Sequence, residues 1–190
     1  MEREDRRVQR ALVDLARRGD EEAFADLARA VGDRLMAIAY RILRDVDRAE
    51  DAVQQALVTA WTELPTLRDD DRFEAWLRRI LVHACYAEAR KRRSWAANVR
   101  LLPTEGSAAS DELASVIDRD RLDRGFRRLS PEQAAVFVLH HYVGLTLPEV
   151  ADELGVPLGT VKSRLHYATN GLRAALDADS RSVTSTERLA

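Results

Sequence analysis

The stretch LTLPEVADELGVPLGTVKSRLHYA, residues 145–168, decides how the second half of the chain folds. Thr146 stands three residues before Glu149 with a proline between them, and this arrangement starts a helix through a capping box. Gly155 permits a sharp turn, and Pro157 begins a second helix. Apolar residues at helical spacing form the inward faces of both helices: Leu147, Val150, Ala151, Leu154, Val161, Leu165, Ala168 and Leu172. The sequence therefore predicts a helix-turn-helix.

The outward face of the second helix carries side chains suited to reading duplex DNA. An α-helix fits the major groove, where Arg and Lys reach guanine acceptors or phosphates and Ser and Thr reach either. The predicted duplex-binding residues are Thr160, Lys162, Ser163, Arg164, His166 and Tyr167. Composition alone fits a solvated helix face equally well, and the surrounding helix-turn-helix spacing favours DNA binding.

Towards the N-terminus, apolar residues recur at spacings of three and four, and no stretch shows the alternation of a strand. Helices are predicted over residues 21–44 and 73–93. Between them, Asp47 and Glu50 resemble a capping box that opens another helix, which Pro65 ends. These helices predict one compact bundle.

After the bundle the helical periodicity fades, and proline, glycine and serine indicate a linker. Its residues 101–118 include acids and no Lys or Arg, so we expect it to be extended and solvated. The predicted fold class is all α, with two small helical domains, a helical bundle and a helix-turn-helix domain, joined by a flexible linker. The predicted bounds are 1–20 for a partly helical extension, 21–93 for the bundle, 94–118 for the acidic linker, 119–176 for the helix-turn-helix domain and 177–190 for a disordered tail.

Composition excludes several classes of protein. The 190 residues include 46% hydrophobic ones, enough for compact cores, but no run approaches the roughly 20 apolar residues that span a bilayer. The charged start lacks the apolar core of a signal peptide, so we expect a cytoplasmic protein without membrane insertion. The single Cys85 excludes an internal disulfide and is expected to pack at the bundle edge. No phosphate loop, nucleophile elbow or metal-ligand spacing of histidines occurs, so neither cofactor, metal nor enzymatic activity is expected.

The formal net charge of -2 conceals one strongly basic helix. From Trp76 to Arg100, seven Lys or Arg residues stand against the acid Glu88, leaving a charge of about +6. Such density suits a phosphate backbone, and interleaved rings suit unstacked bases. The predicted residues for a melted strand and its phosphates are Arg79, His83, Tyr86, Arg90, Lys91, Arg92 and Arg93. A basic helix end that complements the helix dipole is the alternative, and four consecutive cations exceed that need.

Together the two modules resemble the extracytoplasmic function (ECF) sigma factors of bacterial RNA polymerase. The resemblance covers residues 20–176 and rests on EDAVQQALVTAW (50–61), FEAWLRRI (73–80), ARKRR (89–93) and LSPEQAAVFVLHHYVGLTLPEVADELGVPLGTVKSRL (129–165). It implies that the first module binds core RNA polymerase and melts the minus-ten element, and that the second reads the minus-thirty-five element as duplex. The linker is then expected to thread towards the active cleft and the RNA exit path.

Particular residues take roles from this resemblance. Asp51, Gln54 and Gln55 match polymerase-contacting positions, and Leu67–Arg72 matches the loop that holds a flipped-out minus-ten base. The expected partners are core RNA polymerase and promoter DNA, and an anti-sigma factor is a further partner that the resemblance allows.

Two other classes of protein remain open at this stage. A stand-alone helix-turn-helix repressor or activator would use the first bundle for dimerisation or ligand binding, neither of which needs a helix of about +6 charge. A helical adaptor would use the basic helix to bind acidic partners, and the spacing in the second domain argues against it.

Overall fold

The computed structural model describes residues 2–98 and 124–187, and no strand occurs within those two ranges. Its helices, in chain order, are α1 (Glu2–Arg17), α2 (Glu21–Leu43), α3 (Val46–Glu63), α4 (Phe73–Asn98), α5 (Pro131–His141), α6 (Leu147–Leu154) and α7 (Leu158–Glu187). Two short 3-10 turns, Leu64–Thr66 and Asp70–Arg72, connect α3 to α4. The predicted all-α fold class is confirmed, with α1 to α4 forming the bundle and α5 to α7 forming the helix-turn-helix unit.

Aspartates explain where α2 and α3 begin. The Asp20 carboxylate accepts a hydrogen bond from the Ala23 amide at 3.0 Å, and Asp45 accepts one from the Arg48 amide at 3.2 Å. Such side chains satisfy amides that the first helical turn leaves without partners. The prediction that Asp47 opens α3 is wrong, because Asp45 has the extended backbone of a cap and Asp47 already lies inside the first turn.

Small side chains let α3 pack closely against α2 and α4. Its fully buried residues are Ala49, Ala52, Ala56 and Ala60. Larger buried side chains from the neighbouring helices surround them, including Leu27, Leu35, Ile38, Phe73, Leu77 and Leu81. Full burial of each large side chain contributes about 1.5–3 kcal/mol. Cys85 lies in this core and not at the predicted edge, because it follows Leu81 by one turn on the buried face of α4.

Two helices continue beyond their predicted ends. α4 includes residues 94–98, which are helical and not part of the predicted linker, while residues 99–118 of that linker lie outside the described ranges. α7 continues to Glu187, which contradicts the predicted disordered tail from residue 177 up to that point. Neither extension contains glycine or proline, so no residue in them breaks a helix.

The helix-turn-helix unit follows its prediction closely. The Thr146 amide donates to the Glu149 carboxylate at 2.7 Å, and the Glu149 amide donates to the Thr146 hydroxyl, which completes the predicted capping box. Gly155 ends α6 with a φ of 64°, a left-handed conformation that glycine adopts without steric cost. A second box, formed by Ser130 and Gln133, starts α5.

The bundle and the helix-turn-helix unit share one continuous hydrophobic core. Helix α5 packs on α2 and α4, and α6 packs on α4. The Arg41 guanidinium carbon lies 3.7 Å from the centroid of the Tyr142 ring, a cation–π contact that joins the two units. In the part of the chain that the structure describes, no helix has both the length and the apolar character needed to cross a bilayer.

Candidate nucleic-acid interface

The outward face of α7 is the first candidate surface. Val161, Ala168 and Leu172 are buried against the rest of the unit, so the opposite side of the helix faces outward. All the sequence-predicted duplex-binding residues lie near the N-terminal end of α7, namely the exposed Lys162, Ser163, His166 and Tyr167 and the half-buried Thr160 and Arg164. The face therefore offers cations, hydroxyls and rings together, a combination that suits phosphates and base edges.

Hydrogen bonds within α7 already engage part of this face. The Ser163 hydroxyl donates to the Thr160 carbonyl at 3.0 Å, and the side chains of His166 and Asn170 are joined at 2.9 Å. Tyr167 keeps 63% of its surface exposed. The tyrosine ring is thus a large and accessible group near the N-terminal end of α7.

The second candidate surface is a stripe along α4 that contains Arg79, His83, Tyr86 and Arg90, of which only Tyr86 is not exposed. The His83 and Tyr86 rings meet edge to face with their centroids 6.0 Å apart. Partial desolvation lowers the pKa of His83, and the nearby Arg79 and Arg90 lower it further, which favours the neutral imidazole. A neutral imidazole is better suited to contact a base than to form an ion pair with a phosphate. Arg93 lies on the same helix, but its side chain is outside the described part.

Tyr86 stands apart from its neighbours on the stripe. Burial raises the pKa of its hydroxyl, although the positive charge of Arg164 on α7 acts in the opposite direction. The hydroxyl oxygen is buried and has no hydrogen-bond partner among the described residues. Leaving such a group unpaired costs about 1–3 kcal/mol. Tyr86 thus has a polar atom that this arrangement of the two units does not satisfy.

Two predicted strand-binding cations lie on a different side of α4. A depression of about 310 Å³ is lined by Arg48, Asp51, Glu88, Lys91 and Arg92. Lys91 donates to the Glu88 carboxylate at 2.5 Å, which neutralises part of the basic helix. Lys91 and Arg92 therefore border α3, whereas Arg79 and Tyr86 face the helix-turn-helix unit.

The exposed side of α3 carries the residues expected to contact polymerase. Asp51, Gln54 and Gln55 are exposed there, and Gln55 donates to the Thr59 hydroxyl at 3.3 Å. Val58 exposes 61% of its surface in the same region. An apolar group among polar ones fits a protein-binding surface, since both kinds of contact occur in such interfaces.

A larger cavity lies beside Leu67–Arg72, the segment we call the base loop. The cavity has a volume of about 350 Å³ and is lined by Leu67, Arg68, Asp69, Arg72, Ala75, Trp76, Arg79, Asp152 and Glu153. It combines an aromatic ring with several arginines, and these groups bind unstacked bases and their phosphates. Asp152 and Glu153 come from α6, so the helix-turn-helix unit forms one wall of the cavity.

An ion pair between the units was not predicted from the sequence. The Arg78 guanidinium donates two hydrogen bonds to the Glu153 carboxylate, at 2.9 and 3.0 Å, and the two side chains are only 12% and 6% exposed. Burial raises the pKa of Glu153, while Arg78 acts in the opposite direction. A second pair, Arg72 with Asp152, is exposed. The α6 carboxylates of Asp152 and Glu153 therefore form ion pairs with Arg72 and Arg78 beside the base-loop cavity.

Two protein-family models match the two units separately. Residues 27–95 match the model described as Sigma-70 region 2, and residues 119–168 match the model described as Sigma-70, region 4. The first match covers the α4 stripe and the base loop, and the second includes the outward face of α7. Helix α1 lies outside both matches.

The chain also matches whole proteins in sequence and in structure. The chain is 33% identical over 165 residues to the ECF RNA polymerase sigma factor SigL of Mycobacterium tuberculosis, covering 83% of this chain and 93% of that protein. It is 27% identical over 172 residues to the ECF RNA polymerase sigma factor SigW of Bacillus subtilis, covering 84% and 92%. Among solved structures, the sigma factor RpoE in complex with the anti-sigma factor NepR from Bartonella quintana matches with a TM-score of 0.66 and 28% identity, covering 82% of this chain and 98% of that one.

Proposed function

Because the chain belongs to the ECF sigma factors of bacterial RNA polymerase, we propose that it binds core polymerase in the cytoplasm, directs it to specific promoters and helps to melt the minus-ten element. The observation that carries the proposal is one chain with two different surfaces suited to nucleic acid, an exposed polar and basic face on α7 and a basic, aromatic stripe with a cavity on α4. The protein supplies specificity and leaves the chemistry of transcription to the polymerase.

The two surfaces bind different forms of DNA, one the duplex and the other the displaced single strand. The α7 face reads the upstream element as duplex, since its side chains project from a helix that fits the major groove. The α4 stripe and the base-loop cavity hold the displaced strand, because stacking on Trp76 and Tyr86 requires bases that have left the duplex. Arg68 and Arg79, both exposed beside the cavity, neutralise phosphates of that strand.

Strand binding requires the units to move apart. Asp152 and Glu153 line the base-loop cavity and pair with Arg72 and Arg78, so an incoming phosphate would meet carboxylates and cations that are already neutralised. Tyr86 is half-buried in the same arrangement, and its hydroxyl oxygen is fully buried. We call the arrangement in which α6 packs on α4 the closed form, and we assign it to the protein before it binds promoter DNA. The complex of RpoE with NepR supports an anti-sigma factor as a further partner of the chain.

Reconstitution with bacterial core polymerase tests the proposal directly. Incubating the chain and core enzyme with a genomic fragment pool, then mapping transcript starts, is expected to give discrete starts that share an upstream element. The free chain is expected to bind these fragments weakly, since each small module contacts DNA over a limited area. Sequence-specific binding by the free chain at nanomolar concentration and physiological salt, without polymerase-dependent starts, would favour the stand-alone repressor.

Polymerase binding is expected to depend on the exposed side of α3. The double variant Asp51→Ala with Gln54→Ala should weaken core binding about tenfold or more, because both side chains are exposed and suited to contact a partner. The fold should be unchanged, since neither residue is buried. Fluorescence anisotropy with labelled core enzyme measures the affinity, and thermal unfolding checks the fold.

The matched control for this surface is Glu22→Ala with Asp33→Ala, which removes exposed polar groups from α2. Equal core affinity for the two double variants would show that polymerase does not bind the Asp51 side of α3.

A further inference from the structure

Helix α1 precedes the residues that match the region 2 model and has no role in the function described so far. Val13 and Ala16 are buried, and they anchor α1 in the bundle, where it packs on α2. The same helix also packs on the 3-10 turn Leu64–Thr66, which precedes the base loop, and on the turn Asp70–Arg72, which forms the end of the loop. The N-terminal helix therefore lies directly behind the loop that borders the cavity.

Arg17, at the end of α1, contacts both halves of the base loop. Its guanidinium donates to the Leu67 carbonyl at 3.1 Å and forms an ion pair with the Asp70 carboxylate. The Arg17 and Asp70 side chains are 29% and 28% exposed, so solvent screens their interaction only in part. One planar cation thus fixes the backbone at the start of the loop and a side chain near its end.

Arg10 supports the loop one residue further along. It forms an exposed, two-pronged ion pair with Asp71. Local hydrogen bonds also order the loop: the Asp71 amide donates to the Asp69 carboxylate and the Arg72 amide donates to the Asp69 carbonyl, both at 3.0 Å. The loop therefore has two faces, with Asp70 and Asp71 held by α1 and Arg68, Asp69 and Arg72 lining the cavity.

We propose that Arg17 is a positioning residue for the capture of a minus-ten base, through which α1 holds the base loop in its binding-competent shape. This inference rests on the proposed function, because it presumes that the cavity receives a base. The physical reason is pre-organisation: a loop that is already ordered loses less conformational entropy when it binds a strand. The selectivity of the loop for one base then depends on a helix that packs behind the loop.

Holoenzyme carrying Arg17→Ala is expected to bind a single-stranded minus-ten oligonucleotide about 5- to 30-fold more weakly. The probe is the non-template strand of a promoter found in the reconstitution, and a set of probes varied at each base measures base preference. We expect the preference at the captured base to flatten, and amide hydrogen exchange of residues 67–72 to rise. Asp70→Asn removes the same ion pair from the loop side and should reproduce these effects, which guards against damage to α1 itself.

Arg18→Ala is the matched control, because Arg18 is the next residue in the chain and pairs only with Asp14 on its own helix among the described residues. Arg68→Ala changes an exposed side chain that lines the cavity, so it tests the cavity itself. Normal strand binding by Arg68→Ala together with an absence of base preference in the unaltered holoenzyme would refute the cavity assignment. Weaker binding by Arg68→Ala, with Arg17→Ala behaving like Arg18→Ala, would refute the positioning role alone.

Discussion

Replacing Glu153 with alanine is expected to separate the helix-turn-helix unit from the bundle. The substitution removes the closer of the two carboxylates that pair with the Arg78 guanidinium, at a site where only 12% of that side chain is exposed, and leaves Glu74 at 3.5 Å. Removing one partner of a buried ion pair costs about 3–5 kcal/mol when the remaining charge is uncompensated, and the longer contact with Glu74 lowers that cost here. Opening the closed form returns Arg78 to water, so the penalty falls on the contact between the units and not on either unit by itself.

Energy transfer between dyes on introduced cysteines at Val58 and Arg173 measures this separation, since both positions are exposed. The native Cys85 should not be labelled, because burial raises its pKa to about 12 and keeps the thiol protonated. We expect lower transfer for Glu153→Ala and faster association of its holoenzyme with a single-stranded minus-ten probe.

Asp152→Ala is the control for the Glu153 substitution. It removes the neighbouring carboxylate of α6, whose pair with Arg72 is exposed and screened by solvent, so transfer should change little. Equal transfer in Glu153→Ala, Asp152→Ala and the unaltered chain would show that the buried pair does not hold the units together.

Local chemistry made much of the helix-turn-helix unit predictable. The capping box of Thr146 and Glu149 and the left-handed turn at Gly155 depend on residues within one turn of each other. The inward faces followed from helical periodicity, and Val161 and Leu172 are indeed buried. The start of α3 was misassigned to Asp47 because two aspartates near one helix start offer similar cap signals, and backbone geometry distinguishes them.

Contacts between distant parts of the chain were beyond such local signals. Glu153 has the polar side chain of an exposed helix position, and its partner Arg78 lies 75 residues earlier. Arg17 likewise contacts Asp70 across 53 residues. No local pattern indicates that contact, and the run of aspartates taken alone has the composition of a hydrophilic loop. Charge density alone added Lys91 and Arg92 to the predicted strand-binding residues, and these two cations lie beside α3, away from the stripe that contains Tyr86.

The two nucleic-acid surfaces are expected to respond differently to the form of the promoter. Arg164→Ala should weaken recognition of the upstream duplex by roughly 1–3 kcal/mol, the usual worth of a bidentate base contact, and the loss should depend on upstream sequence. Tyr86→Ala should impair opening by a similar amount, roughly 1–3 kcal/mol for each stacked base, because the ring meets a base only after melting. Permanganate footprinting of holoenzyme complexes on fully paired and pre-melted templates compares the two defects.

A template mismatched across the minus-ten region supplies the melting energy in advance. The loss caused by Tyr86→Ala should therefore shrink on it, while the loss caused by Arg164→Ala should persist. Tyr86→Phe is the control for the ring, since it keeps the stacking surface and removes only a hydroxyl that has no partner in the described residues. Arg173→Ala is the control for α7, because that cation is exposed on the same helix beyond the recognition face. Rescue of Arg164→Ala by pre-melting, with no benefit to Tyr86→Ala, would reverse the roles assigned to the two surfaces.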